Sequence, residues 1–171
     1  MFNLKTYRDF SILLLLTVMT SFILTTNTNS YTIQKNVSID FNRQVECMAK
    51  NIYYEAAMEP YEGKLAVAQV TMNRVNHPDY PKDVCDVVYQ KTGHTCQFSW
   101  TCMNVPEIKS RYNWEESILV AKKALTEPFV HDRIAETNSL FYHATYVNPQ
   151  WKKKVVMVIG NHIFYKRYDK S

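Results

Sequence analysis

The hydrophobic period of this chain changes once, near residue 138, and that change limits the fold more than any other feature. From Phe41 to Leu125 apolar residues recur at three- and four-residue intervals; from Ser139 onward they alternate. The first period belongs to helices and the second to half-buried strands. Phe41, Val45, Met48 and Ile52 form one stripe in a helix predicted over 41–58. Leu65, Ala68, Met72 and Val75 form another, in a helix that Pro60 opens and Asn76–Pro78 closes. A shorter helix is predicted from Pro81, with Val84, Val87 and Val88 inward and a break at Thr92–Gly93. CQFSWTC (96–102) reads as a strand or tight hairpin. Asn113 and Glu116 have the spacing of a cap and capping-box pair for a helix facing inward with Trp114, Ile118, Ala121 and Leu125, and Pro128 closes it. SLFYHATYV (139–147) reads as a strand, and the apolar runs KVVMVI and HIFYKRY around Gly160–Asn161 predict a two-residue hairpin. Helices first and a small antiparallel sheet afterwards make an α+β arrangement.

Composition removes several alternatives. Only 3 glycines occur, none close to another, so neither GxGxxG nor a P-loop can be written. With 171 residues, 46% of them hydrophobic, the chain suits one folded domain and excludes bulk disorder. The net charge of +4 is too mild to argue for nucleic acid. Basic residues do gather late, at Lys152, Lys153, Lys154, Lys166, Arg167 and Lys170, where they would attract an anionic polymer. Aromatics reach 13%, with 12 tyrosines, a stock suited to stacking on sugar rings.

The N-terminus reads as an export segment. Lys5 and Arg8 precede a 15-residue apolar run, Phe10–Leu24, which fits a signal-peptide core better than a full bilayer span. Residues 1–30 are therefore expected to be a signal peptide or, failing cleavage, a membrane anchor through 10–24. Residues 31–40 read as a polar linker and 41–171 as the functional domain, expected to be exported and monomeric. Export places Cys47, Cys85, Cys96 and Cys102 where disulfides persist. Of three connectivities, Cys96–Cys102 as a local staple with Cys47–Cys85 between helices is preferred. Zinc is disfavoured, because no CxxC, HExxH or HxxxH occurs and His77, His94, His131, His143 and His162 are scattered. No cofactor or metal is expected.

One residue breaks the helical pattern informatively. The stripe 41, 45, 48, 52 has position 55 as its next member, and position 55 is a glutamate. A carboxylate on an apolar helix face loses solvation, which raises its pKa. An acid kept protonated near neutral pH beside aromatics, here Tyr53 and Tyr54, is what glycoside cleavage uses as a general acid. Glycosidases usually pair two carboxylates. Glu59 and Glu62 are better explained by the start of the second helix, and Asp83 and Asp86 by the start of the third. A single acid suffices where the substrate brings its own nucleophile, as when the C6 hydroxyl of a muramyl sugar attacks C1.

The stretch ECMAKNIYYEAAMEPYEGKLAVAQVTMNRV is similar to the opening motif of the SleB/CwlJ-type cell-wall hydrolases, and three further blocks agree in order: YPKDVCDVVYQ, CQFSWTC and FYHATYVNPQWKKKVVMVIGNHIFYK. Together they cover about residues 45–166. The resemblance implies a lysozyme- or transglycosylase-like α+β domain that cuts peptidoglycan strands between MurNAc and GlcNAc, as a lytic transglycosylase if the C6 hydroxyl attacks or as a muramidase if water does; the sequence does not decide between them. It places the family's catalytic glutamate, in its Y-[FY]-E-A motif, on Glu55. Where the family commonly has Arg-Gly after that motif, this chain has Ala57 and Met58, which removes an ion partner for the acid and alters the turn.

Further candidates follow. Gln97 and Ser99 are expected to hydrogen-bond the N-acetyl or muramyl groups, and Trp100 to stack on a sugar or to lie in the core. Tyr142 and Tyr146 share a strand face and are favoured over His143, which takes the other; His162 reads as structural. Two rivals compete with this reading. One is a Cys–His wall peptidase built on Cys96 with His94 or His143. The other is a wall-binding module without catalysis.

Overall fold

The computed structural model describes the backbone of residues 4–166, with side chains described at Met19, Ser30 and from residue 32 onward. The chain divides into two units, Met1–Phe41 and Asn42–Ser171. The division falls within helix α1 (Leu4–Ala56). The side chains of the expected export or anchor segment, 1–30, lie outside the described residues apart from Met19 and Ser30. Among the described residues no helix is long and apolar enough to cross a membrane. The segment 31–40, expected as a linker, is helical, and its described side chains are exposed, as its polar composition allows.

In the second unit α1 buries Val45, Met48 and Ile52, the stripe the sequence shows, and ends at Ala56. Helix α2 (Tyr61–Asn76) is the centre of the unit, packed against α3 (Val84–Val88), α4 (Arg111–Thr126), α5 (Asp132–Glu136) and strand β3 (Ser139–Ala144). Enclosure on many sides corrects the expected stripe. Leu65, Met72 and Val75 are only half-buried, whereas Val67, Val70 and the polar Gln69, Thr71, Asn73 and Arg74 are buried. Such a helix must satisfy its polar groups internally. Gln69 accepts from the Val130 N–H (2.8 Å), Thr71 from Asn51 Nδ2 (3.2 Å), and Asn73 donates to the Ile134 and Ser139 carbonyls (3.0 and 2.9 Å). Lys64 reaches Glu116 in a partly buried ion pair.

That pair also corrects the capping of α4. Ser110, not Asn113, is the N-cap, accepting from the Asn113 N–H at 3.3 Å, while Glu116 is turned to Lys64. The buried face of α4 is Ser117, Val120, Ala121 and Ala124, about one position away from the expected one. Helix α3 starts at Val84 rather than Pro81, because Asp83 caps it by accepting from the Cys85 and Asp86 N–H groups. The strand or hairpin expected over 96–102 is displaced. A small hairpin pairs β1 (Lys91–Thr92) with β2 (Thr95–Cys96) around Gly93 at φ +61°, and Ser99–Cys102 is a 3₁₀ turn.

The last sheet has the order β3-β5-β4, antiparallel, with β4 (Lys154–Ile159) and β5 (His162–Lys166) joined by the Gly160–Asn161 turn. Its inner face closes a core of Ala56, Ala66, Val67, Val70, Ile134, Ile159 and Phe164, with Tyr142 and Met157 against it. Gly160 has φ +52°, and an added Cβ would fall 1.9 Å from Glu59 Oε2. Glu59 accepts from the Asn161 backbone N–H (2.9 Å) and from its side-chain Nδ2 (3.1 Å). Disulfides join Cys47 to Cys85 and Cys96 to Cys102, as preferred from sequence.

Candidate active site

Glu55 lies one residue before the end of α1, half-buried on the stripe that fills the core below it. The stripe carries it inward while helix termination leaves it beside β3. There Tyr142 donates its hydroxyl to Glu55 Oε2 at 3.2 Å. Burial pushes the Glu55 carboxyl above its ordinary range; the Tyr142 hydrogen bond and the Arg74 charge pull the other way. Burial, then the neighbouring carboxyl, hold the Tyr142 hydroxyl well above its usual range.

Arg74 is the functional residue that sequence reasoning missed. It is buried in α2, and its Nε and Nη2 donate to the Leu140 carbonyl at 2.9 and 2.8 Å. With its amide oxygen turned toward the guanidinium, Gln97 accepts from Nη1 and Nη2 at 3.1 and 3.2 Å. The Phe98 ring lies under the cation at 5.0 Å. The positive charge expected to be missing beside the acid, with Ala57–Met58 in place of Arg-Gly, is thus supplied by Arg74. One signal was available: an arginine inside the apolar run VAQVTMNRV, where an unpaired cation would be costly.

Arg74, Gln97 and Tyr142 line a cleft of about 280 Å³ with Thr92, Thr95, Cys96, Phe141 and Trp151. It opens into a wider pocket of about 650 Å³, sharing Thr92, Gln97, Phe141 and Trp151. Neither Glu55 nor any other aspartate or glutamate lines the narrower cleft; Glu55 meets it through Tyr142. Of the other acids considered from sequence, Glu59 is engaged with Asn161, Glu62 with His131 (3.4 Å) and Asp83 with Arg43 (2.6 Å), while Asp86 is exposed in the first turn of α3.

The remaining candidates divide. Gln97 and Tyr142 come together at the cleft. Ser99 is exposed and is not among the residues lining either cleft. Trp100 is buried, stacked on Tyr54 at 4.7 Å and bonded through Nε1 to Asn51, so no ring face is open to a sugar. Tyr146 does not share a face with Tyr142, because β3 stops at Ala144 and leaves it 87% exposed. His143 points away from Tyr142 and meets the Tyr165 hydroxyl at 2.7 Å. His162 is buried, edge-on to Tyr142 at 5.2 Å, and burial pulls its pKa down. Cys96 is tied in a disulfide and no free cysteine occurs among the described residues, which leaves the Cys–His peptidase without a nucleophile.

Tyr53 and Tyr54 have a different task. Tyr54 donates to the Pro106 carbonyl at 3.1 Å, and the Tyr53 hydroxyl accepts from the Lys109 and Ser110 N–H groups at 3.3 Å each. The irregular segment before α4 is thereby strapped to the turn of α1 that carries Glu55.

The family model for Cell Wall Hydrolase matches residues 58–165. The chain belongs to the cell wall hydrolase family. Among its relatives in that family, the spore cortex-lytic enzyme of Bacillus subtilis (strain 168) is 30% identical over 124 residues, covering 72% of this chain and 37% of that protein. The spore cortex-lytic enzyme of Oceanobacillus iheyensis is 30% identical over 129 residues, covering 71% and 41%. The chain thus spans about two fifths of the length of these relatives. Among solved structures, the catalytic domain of the Bacillus cereus SleB protein superposes with a TM-score of 0.55 at 25% identity, over 73% of this chain and 91% of that one. The catalytic domain of the germination-specific lytic transglycosylase SleB from Bacillus anthracis gives 0.53 at 25%, over 72% and 93%. The architecture of this cell wall hydrolase, helices followed by small antiparallel sheets, is lysozyme-like.

Proposed function

We propose that residues 41–171 form an exported catalytic domain that cleaves the MurNAc-β-1,4-GlcNAc bond of peptidoglycan, with Glu55 as its single acid and base. The observation that carries this reading is a half-buried carboxyl of raised pKa, bonded to Tyr142, which itself lines the narrower cleft. One carboxyl oxygen accepts from Tyr142, which leaves the other to carry the proton. Glu55 gives that proton to the glycosidic oxygen as the C1–O bond breaks. The carboxylate so formed is stabilised by the Tyr142 hydroxyl and the Arg74 charge, both fixed before reaction. The C6 hydroxyl of the muramyl residue then attacks C1, and its proton returns to Glu55, which closes the cycle without water. Glu59 and Glu62, the acids nearest Glu55 in sequence, are engaged with Asn161 and His131, which leaves neither placed to hold a water as a second carboxylate. Gln97, fixed by Arg74, is the residue proposed to meet the N-acetyl or muramyl group.

Mass spectrometry of purified peptidoglycan digests tests this. The wild type should release 1,6-anhydromuramyl ends, and Glu55→Gln should fall by about 10²–10⁴-fold, the span of a lost general acid. Reducing ends in place of anhydro ends would assign attack to water. An undiminished Glu55→Gln rate would leave the wall-binding module as the better account.

A further inference from the structure

The wider pocket is chemically unlike the cleft at Glu55. Its walls carry Lys152 and Lys153 together with the amides of Gln90, Gln97 and Gln150, set around Trp151 and Phe141. Lys153 Nζ is held 4.2 Å from the Phe141 ring centre and 5.5 Å from that of Trp151, which fixes one ammonium in the pocket wall. Gln90 Oε1 is buried and accepts no hydrogen bond from the protein, an acceptor lacking its donor. Gln150 holds a positive φ of +52°, uncommon for a residue with a side chain, in the segment that presents Trp151 and both lysines. Asp79 lines the same pocket and supplies a negative wall opposite in sign to the lysines. Gln97 and Trp151 belong to both cavities, so whatever occupies the pocket is continuous with a sugar held at the cleft.

We propose that this pocket takes the peptide branch of the muramyl residue, with Lys152 and Lys153 meeting its carboxylates. The inference rests on the glycan-cleaving reading above and extends it to substrate choice. A glycan bearing acidic peptide stems offers carboxylates for these cations. A glycan stripped by an amidase keeps one lactyl carboxylate close to each muramyl ring and loses the carboxylates farther out along the stem. The enzyme should therefore prefer peptide-bearing strands, and the preference should reside in the two lysines.

The test compares two substrates with one protein: intact peptidoglycan strands, and the same strands stripped of stem peptides by a muramoyl-alanine amidase. Wild type should show a kcat/KM about tenfold higher on the peptide-bearing strands, and Lys152→Glu/Lys153→Glu should remove that advantage, with a clearly smaller loss on the stripped strands. Lys152→Gln/Lys153→Gln should behave similarly and more mildly, and it tolerates the loss of the ring contacts better. Equal rates of wild type on the two substrates, or an equal loss by the variants on both, would overturn the inference while leaving Glu55 in its role. Cleavage of neither substrate by wild type would overturn the glycan-cleaving reading itself, and this one with it.

Discussion

The hydroxyl of Tyr142 reaches Glu55 Oε2 at 3.2 Å across 87 positions of sequence, so strand β3 acts on the protonation of an acid at the end of α1. Because this bond favours the ionised carboxyl, it partly offsets the burial that favours the neutral one.

Replacing Tyr142 with Phe removes that offset. The Glu55 pKa should rise further, and the alkaline limb of kcat/KM, where the acid loses its proton, should move to higher pH. The maximal rate should fall about tenfold, because the carboxylate formed on proton transfer loses its donor. A pH–rate profile of Tyr142→Phe beside wild type checks both; an unmoved alkaline limb would contradict the coupling.

Glu55→Gln should make the protein more stable. Burial lets folded Glu55 keep its proton to a higher pH than the unfolded chain does, above the ordinary value of 4.5. From about that pH up to the raised one, the folded state binds more protons, so stability falls as pH rises and stays lowered beyond. Glutamine has no such penalty. Thermal melts should show Glu55→Gln above wild type by about 2–4 °C at pH 8 for a gain on the order of 1 kcal/mol, with the gap closing below about pH 4.

Gly160→Ala should destabilise by about 1–3 kcal/mol, from the positive φ and from the collision of its Cβ with Glu59 Oε2. Glu59→Ala in the same chain relieves the collision but not the backbone strain. Denaturant titration of the two single variants and the double should therefore give non-additive losses, with the double less destabilised than the sum.

Removing Cys47–Cys85, which closes 38 residues, should cost about 4 kcal/mol on chain-entropy grounds. Cys96–Cys102, which closes 6, should cost about 2. Paired Cys→Ala variants followed by urea unfolding would rank them.

Much of this was legible in the chain. The α1 stripe, the two-residue turn at Gly160–Asn161 and the position of Glu55 follow from periodicity alone, because each is a local pattern. What failed was decided by distant partners. Glu116 has capping-box spacing, yet Lys64 of α2 takes it. The face of α2 could not be read from its apolar residues, since enclosure buries Gln69, Asn73 and Arg74 along with Val67. Tyr146 fell away because alternation carries a strand only as far as its neighbour β5 continues to pair. Trp100 was a matter of which side Tyr54 occupies, a contact 46 positions distant that no spacing rule encodes.

The straps from Tyr53 and Tyr54 to residues 106–110 carry a mechanical implication. The segment before α4 is riveted to the very helical turn bearing Glu55, so the two shift as a single piece. That segment cannot slide past the carboxyl; any displacement of it has to drag the end of α1 along.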